Sequence, residues 1–289
     1  MLEQLSLIIP SFNGADALQK TLAKLQAEQI TAEIIVVDGG SSDGSQAVAT
    51  GFGVRLLEVQ NHGYGHNLNR GIEIATRQYL ALMNSDVLMP RQTLLAALKR
   101  LENPSLGAVG PVPLQENGSR QQSFGITYLP NHLKITQPLA VKMLHGFCLI
   151  TRRDVLQTVG GFDEHFFMYN EEYDWCWRVL KKAYSLEIIP ETAVHFGGSS
   201  TPNSAAIFFE GRRGGMYLVD KHFPFWVAEP TRRFFQLEAW LSGFFERRTD
   251  FKPMWQRLEQ QLKQKNYLGA ALPLSGRGEV HFKPNDSVH

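Results

Sequence analysis

Apolar positions gather in short runs at Leu5–Ile9, Glu33–Val37, Val54–Val59 and Tyr79–Met83, with polar or amphipathic stretches between them. Runs of this length, bounded by turn residues, read as buried strands. Between the first two, Leu18, Leu22 and Leu25 fall at helical spacing, and Asn13-Gly14 supplies a start signal after the strand. The same alternation predicts helices around Asn67–Thr76 and over Pro90–Leu101, the second with proline in its first turn. Repeated strand-helix-strand units imply an α/β fold with a mostly parallel central sheet flanked by helices.

From Pro111 to Pro138 the periodicity fades into Gly, Asn, Gln and Pro with scattered aromatics, an irregular excursion of a length that is often functional. Regularity returns with a strand over Leu144–Thr151, a short helix to Val159, a Gly160-Gly161 break and a helix from about Glu171 to Ala183. From Ala205 the chain is aromatic and basic, with Phe234, Phe235, Trp240, Phe244 and Phe245 beside Arg232, Arg233, Arg247 and Arg248. Core packing of a helical appendage, a homodimer contact and peripheral contact with a membrane all suit that composition. The expected layout is one α/β region over 1–223, with a first half to about 110 and a second over 111–223. A helical accessory region over 224–272 and a flexible tail over 273–289 complete it.

Composition narrows this picture. The 289 residues are 43% hydrophobic and 20% charged, as in ordinary globular proteins. A net charge of +1 provides no global field for nucleic acid, so nucleic acid is not an expected partner and any anion site must be local. Cys148 and Cys176 are the only cysteines and sit in apolar settings, which favours two buried thiols in a reducing cytoplasm. The first residues lack the signature of a signal peptide, and no apolar run approaches the roughly 18–20 residues that cross a bilayer. Membrane contact would therefore be peripheral, at the inner face.

In an open parallel sheet, ligands bind beyond the carboxyl ends of the strands, and here those positions are polar. Pro10-Ser11-Phe12-Asn13-Gly14 follows the first run, Asp38-Gly39-Gly40-Ser41-Ser42-Asp43-Gly44 the second, and Asn84-Ser85-Asp86 the fourth. None carries the Gly-rich dinucleotide fingerprint or the P-loop pattern. Asp38 can accept from a base N–H or a ribose hydroxyl, while Asp43 suits capping. Asp86 offers a carboxylate that a hard cation and diphosphate oxygens could share, or equally a turn before Pro90. Between Gly63 and Gly71, Asn67 suits ligand contact better than Arg70, and Trp175-Cys176-Trp177 suits core packing.

Gly161-Phe162-Asp163-Glu164-His165-Phe166-Phe167-Met168-Tyr169-Asn170-Glu171-Glu172-Tyr173-Asp174-Trp175-Cys176-Trp177-Arg178 resembles the GGFDExFFMYxEDxDLCxR segment of family 2 glycosyltransferases, especially the rhamnosyltransferase-like group. Glu172 stands where that pattern has Asp. The resemblance continues, in family order, through Ile8–Asn13, Ile35–Asp38 with Ser41–Gly44, Gly63–Gly71, Met83–Asp86 and the VxHxGGSS-like Val194–Ser200, reaching about Phe223.

The resemblance implies a GT-A fold with a C-terminal helical appendage. It also implies that Pro10, Asn13 and Asp38 help seat the donor nucleoside; Ser11, Asn84 and Ser85 are further expected donor-binding positions, and Asn67 suits contact with the donor sugar or phosphate. Asp86 becomes a ligand for Mg²⁺ or Mn²⁺, with Asn84 in the first place of the family's D-x-D motif and His195 compensating in the metal shell. At helical spacing Glu171, Asp174 and Arg178 share one flank, Asp174 within reach of Arg178, while Glu172 points elsewhere. Glu172 takes the general-base position, with Glu171, Asp174 and Arg178 supporting helix or acceptor. The implied reaction is inverting transfer from a nucleotide-diphosphate sugar, dTDP-rhamnose or a UDP-sugar, to a glycan or lipid-linked hydroxyl in cell-surface polysaccharide biosynthesis. A sugar-phosphate nucleotidyltransferase, or a catalytically silent carbohydrate-binding scaffold on the same fold, is the alternative.

Overall fold

A computed structural model describes residues 1–121, 135–196, 205–247 and 251–265. Strand and helix alternate through β1 (Leu5–Ser11), α1 (Ala15–Ala27), β2 (Glu33–Asp38), α2 (Ser45–Gly51), β3 (Arg55–Glu58), α3 (Tyr64–Ile74) and β4 (Tyr79–Met83). Then come β5 (Val87–Leu88), α4 (Arg91–Arg100), β6 (Leu106–Leu114), β7 (Leu139–Val141), β8 (Cys148–Arg152), α5 (Arg153–Val159), α6 (Glu171–Lys181) and β9 (Ser185–His195). Three helices close the described chain: α7 (Ala205–His222), α8 (Phe225–Phe245) and α9 (Phe251–Gln264). The tail over 273–289 and Gly197–Ser200 of the expected histidine motif lie outside the described residues.

β1, β2 and β4 are continuous apolar runs because parallel strands are covered on both faces. α1 presents Ala17, Leu18, Thr21, Leu22 and Leu25 to the sheet at the spacing of one helical face. α3 lies close over β1, since a Cβ at Gly71 would collide with Ile8. The resulting core unites Leu7, Ile9, Val36, Ala81, Leu98, Phe147 and Ile150, among others. Cys148 and Cys176 are buried and free, and burial pushes the Cys176 thiol up to about 12.

Among the described residues the strands form one sheet in the order β3-β2-β1-β4-β8-β6-β9-β5, with β7 also on β9. The sheet is mixed rather than mostly parallel. β3, β2, β1 and β4 are parallel, as is β6 with β9, but β8 runs against β4 and β6, and β5 and β7 run against β9. An apolar run reports that a strand is covered on both faces, and carries no information on direction. The irregular reading from Pro111 onward also yields, because β6 extends to Leu114 and is buried over nearly its whole length. Its register shifts at Leu106/Ala108 and Gly110/Val112 accommodate the glycines and prolines that gave it a loop-like composition.

The described residues of Met1–Asn61, His66–Phe162 and Glu172–Thr201 form one compact unit, and those of His62–Gly65, Asp163–Glu171 and Pro202–His289 another. The second has its own core, with Phe209, Met216, Ala239, Trp255, Leu258 and Leu262 packed together. On α7 a fully buried Glu210–Arg213 ion pair fixes the 163–171 stretch. Glu210 Oε1 accepts the Phe167 N–H at 3.3 Å, and Arg213 Nη2 donates to the His165 carbonyl at 2.9 Å. Asp163 adds a second tie, accepting from Tyr217 at 2.9 Å and pairing with Lys221 at 2.6 Å.

Candidate functional site

The carboxyl ends of β1, β2 and β4 carry the polar loops, as the strand order requires. Ser11 pairs in register with Asp38, and its carbonyl accepts the Gly39 N–H at 2.9 Å. Asn13 takes a left-handed backbone (φ 50) and ties the first loop to the second, its Oδ1 accepting the Ser42 N–H at 2.8 Å. Asp38 is fully buried and organises its own loop: Oδ1 accepts from the Ser41 N–H at 2.8 Å and Gln46 Nε2 at 3.0 Å, and Oδ2 from Ser41 Oγ at 2.6 Å. Asp43 reaches the first amides of two helices, Ala15 at 2.9 Å and Ser45 at 3.1 Å. Burial works to raise its pKa, but the hydrogen bonds from Ser45 and Ala15 outweigh it and hold the carboxyl below its ordinary range.

Two polar atoms behind these loops are buried without a hydrogen-bond partner: Ser11 Oγ and Asn67 Oδ1. Gly39 is needed beside Asn67, since a Cβ there would stand 3.0 Å from Asn67 Nδ2 and 3.2 Å from Asn61. Buried polar atoms normally find partners, so two orphans behind the loops of an α/β sheet's carboxyl edge favour a ligand that supplies them.

Asp86 and His195 meet because β5, only two residues long, pairs antiparallel with the end of β9 and sets Val87 opposite His195. His195 Nε2 lies 3.2 Å from Asp86 Oδ1, and both residues are buried. Asn84 Nδ2 is 3.3 Å from the same Nε2. On the far side of the ring, Nδ1 is 2.8 Å from Gln121 Oε1. An amide oxygen only accepts, so in the neutral imidazole Nδ1 carries the proton and Nε2 presents its lone pair toward Asp86. Two electron-rich atoms then face each other, an arrangement that a cation between them would satisfy.

The donor set fits a divalent cation on that ground. Ligands held at about 2.1 Å and nearly at right angles lie about 3 Å apart. Among the described residues no group of three or more His, Cys, Asp or Glu side chains gathers, so the protein would supply two donors and leave the remaining positions to a substrate's oxygens and water.

The segment His145-Gly146-Phe147 joins this pair to the start of α6. The Phe147 ring stacks on His195 with centroids 5.3 Å apart, and the His145 ring meets it edge-on at 5.9 Å. Gly146 lies against Glu172, where an added Cβ would stand 3.2 Å from the carboxyl carbon and from Oε1. Burial, with His195 as neighbour, pulls the His145 pKa down to about 4. Its Nδ1 accepts the Phe147 N–H at 3.1 Å, which fixes this ring too.

The other acidic residues of α6 do different work. Asp174 is fully buried and pairs with Arg178 at 2.8 Å, the contact expected from their spacing. Arg178 also donates to the carbonyls of Val159 and Gly161, at 2.9 and 2.7 Å, tying α6 to the turn after α5. Trp175 is buried, stacks with Phe162 and donates to the Gly160 carbonyl, which makes it core. Glu171 is buried at the first turn. Pro10 lies within β1, and Ser85 offers its carbonyl to Thr21 Oγ1 at 2.8 Å. Gln121, His145 and Gly146 belong to the site's geometry but not to the sequence expectations. Gln121 falls inside the excursion whose length suggested function, and no short-range pattern singles it out.

Solved glycosyltransferases share this architecture. A mannosyltransferase from Pyrobaculum calidifontis, in complex with GDP-Man and Mn²⁺, superposes with TM-score 0.59 at 18% identity, covering 88% of this chain and 73% of that one. GalNAc-T7 with UDP, GalNAc and Mn²⁺ superposes with TM-score 0.62 at 12% identity, over 92% of this chain and 59% of that one. The fold is GT-A. The sequence matches Glycosyl transferase family 2 over residues 6–177, and the chain belongs to that family. It is a glycosyltransferase. Among its relatives is the N-acetylglucosaminyl-diphospho-decaprenol L-rhamnosyltransferase of Mycobacterium tuberculosis, 27% identical over 271 residues, 79% of this chain and 88% of the relative.

Proposed function

We propose that the enzyme transfers a sugar from a nucleotide-diphosphate donor, dTDP-rhamnose or a UDP-sugar, to a hydroxyl of a glycan or lipid-linked acceptor in cell-surface polysaccharide assembly, with inversion. The observation that carries the site assignment is the Asp86–His195 pair, joined through residues 145–147 to Glu172. The rhamnosyl and lipid-linked preference draws its support from the M. tuberculosis relative, whose name specifies a diphospho-decaprenol acceptor and L-rhamnosyl transfer.

In this reading residues 1–223 are the catalytic region and 224–272 an accessory region. Asn13, Asp38 and the orphaned Ser11 and Asn67 seat the nucleoside and ribose, with Pro10, Asn84 and Ser85 shaping the same edge. Asp86 and His195 hold a divalent cation, Mg²⁺ or Mn²⁺, the latter being the ion bound with the nucleotide in both solved structures. When bound, it supplies charge neutralisation for the departing diphosphate. Glu172 accepts the acceptor hydroxyl's proton as that oxygen attacks the anomeric carbon from the face opposite the nucleotide. Glu171, Asp174 and Arg178 hold the first turns of α6 in place.

The test is Glu172→Gln, assayed by product formation with dTDP-rhamnose and UDP-sugar panels alongside nucleotide-diphosphate binding. General-base loss predicts a fall in kcat of about 10²–10⁴ with nucleotide affinity unchanged. Undiminished transfer by the variant would remove Glu172 from its role.

A further inference from the structure

α8 is inverted relative to an ordinary surface helix. Its buried positions are Ala228, Arg232, Ala239 and Gly243, small residues apart from one arginine. Its large apolar side chains face out: Phe225, Trp226, Phe234, Trp240, Phe244 and Phe245 are 56–76% exposed, with Leu237 and Leu241 between them. Apart from Phe225 at the first turn, these positions cover an arc of roughly 140° from Trp240 round to Phe245, at about 100° per residue. Free aromatic side chains offer about 150–250 Å² each, so these six alone open on the order of 800 Å², beyond the roughly 300–600 Å² of an ordinary largest patch.

We propose that this face of α8 lies in the surface of an anionic lipid bilayer, with the helix parallel to the membrane plane. Charge selects that occupant. Arg233 is the one charged residue among the exposed positions of α8. The acids are turned to the flanks and paired, Glu229 with three cations, Arg232, Arg233 and Lys265, and Glu238 with Arg212. Lys265 stands over the Phe225 ring at one end, 5.9 Å from its centroid, and exposed Arg247 follows the other end. An aromatic stripe bordered by basic residues, on a helix of 21 residues spanning about 30 Å, is the pattern of an interfacial helix.

No described helix is long and apolar enough to cross a bilayer, which leaves in-plane contact. A second copy suits the face less well. Twofold antiparallel packing of α8 on itself would bring the two Arg233 side chains within about 6 Å along the axis, near the centre of the apolar seam.

The full-length chain is sedimented with phosphatidylcholine vesicles and with phosphatidylcholine–phosphatidylglycerol vesicles, next to a Trp226→Ser, Trp240→Ser, Phe244→Ser variant. The wild type is expected in the pellet, more with the anionic vesicles, and the variant partitions about tenfold or more weakly. As a readout independent of the variant, brominated acyl chains should quench wild-type tryptophan emission. Wild-type protein that stays in the supernatant with both vesicle types, or that sediments no better than the variant, overturns the proposal. So does a wild-type dimer in sedimentation velocity that the substitutions make monomeric, without vesicle binding.

Discussion

His195 illustrates how one neighbour decides what a side chain can do. Because Gln121 Oε1 engages Nδ1 at 2.8 Å, the neutral ring keeps its proton on that nitrogen and leaves Nε2 as a donor of electrons. Gln121→Leu removes that constraint without touching Asp86, and should weaken Mn²⁺ activation about 10–100-fold, read as the cation concentration for half-maximal transfer. Unaltered activation would show that the tautomer is set elsewhere. His145 provides a pH signature. Its folded pKa of about 4 lies below the ordinary 6.5, so between these values the unfolded chain binds a proton that the folded chain does not. The His145 contribution to stability should be level above pH 6.5 and fall as pH drops toward 4, by at most about 1.4 kcal/mol per pH unit. In cation-free urea titrations, His145→Gln should flatten that slope. These side chains were harder to read from sequence than Asp86, Glu172 or His195, because their roles arise from contacts with partners distant in the chain.

Among the elements, the stretch between β7 and β8 and the start of α6 are set against each other at Gly146. A Cβ there would meet the Glu172 carboxyl at 3.2 Å, close enough that the carboxylate must give by a few tenths of an ångström. Gly146→Ala should therefore cut kcat about tenfold, with KM for the donor and the unfolding midpoint nearly constant. An equal loss in stability would mark the glycine as a packing residue instead. The legibility of the elements follows their physics. β1, β2 and β4 read clearly because both faces are buried, and α1 and α4 because one face is. β6 was hidden by Gly107, Gly110, Pro111 and Pro113, residues its bulges tolerate, and β9 by a burial pattern that does not alternate. β5 is too short to leave any pattern, yet it places the histidine.

For the whole molecule, the ordered motifs made the fold family legible far beyond what periodicity could show, while strand direction in the second half of the sheet needed coordinates. Stability should register the ligand. A nucleotide diphosphate with Mn²⁺ at about 100 times its Kd adds about 2.7 kcal/mol to the state that binds it, raising the melting midpoint by about 5–10 °C. Asp86→Asn should lose the cation-dependent part of that shift and keep whatever the nucleotide gives alone, measured by differential scanning fluorimetry. A full cation-dependent shift in the variant would dismiss Asp86 as a ligand.

The pairing of β5 with β9 also limits how this protein can diverge. Past the register shift at Ile188–Thr192 the side chains of β9 alternate between faces, so one residue gained or lost between Thr192 and Val194 would turn His195 to the opposite side of the sheet. Length variation in this lineage should therefore be barred from that short stretch and tolerated in connecting loops, where an insertion shifts no strand register. New acceptors can be explored through loops of changing size, while the spacing that brings the histidine to Asp86 is passed on unaltered.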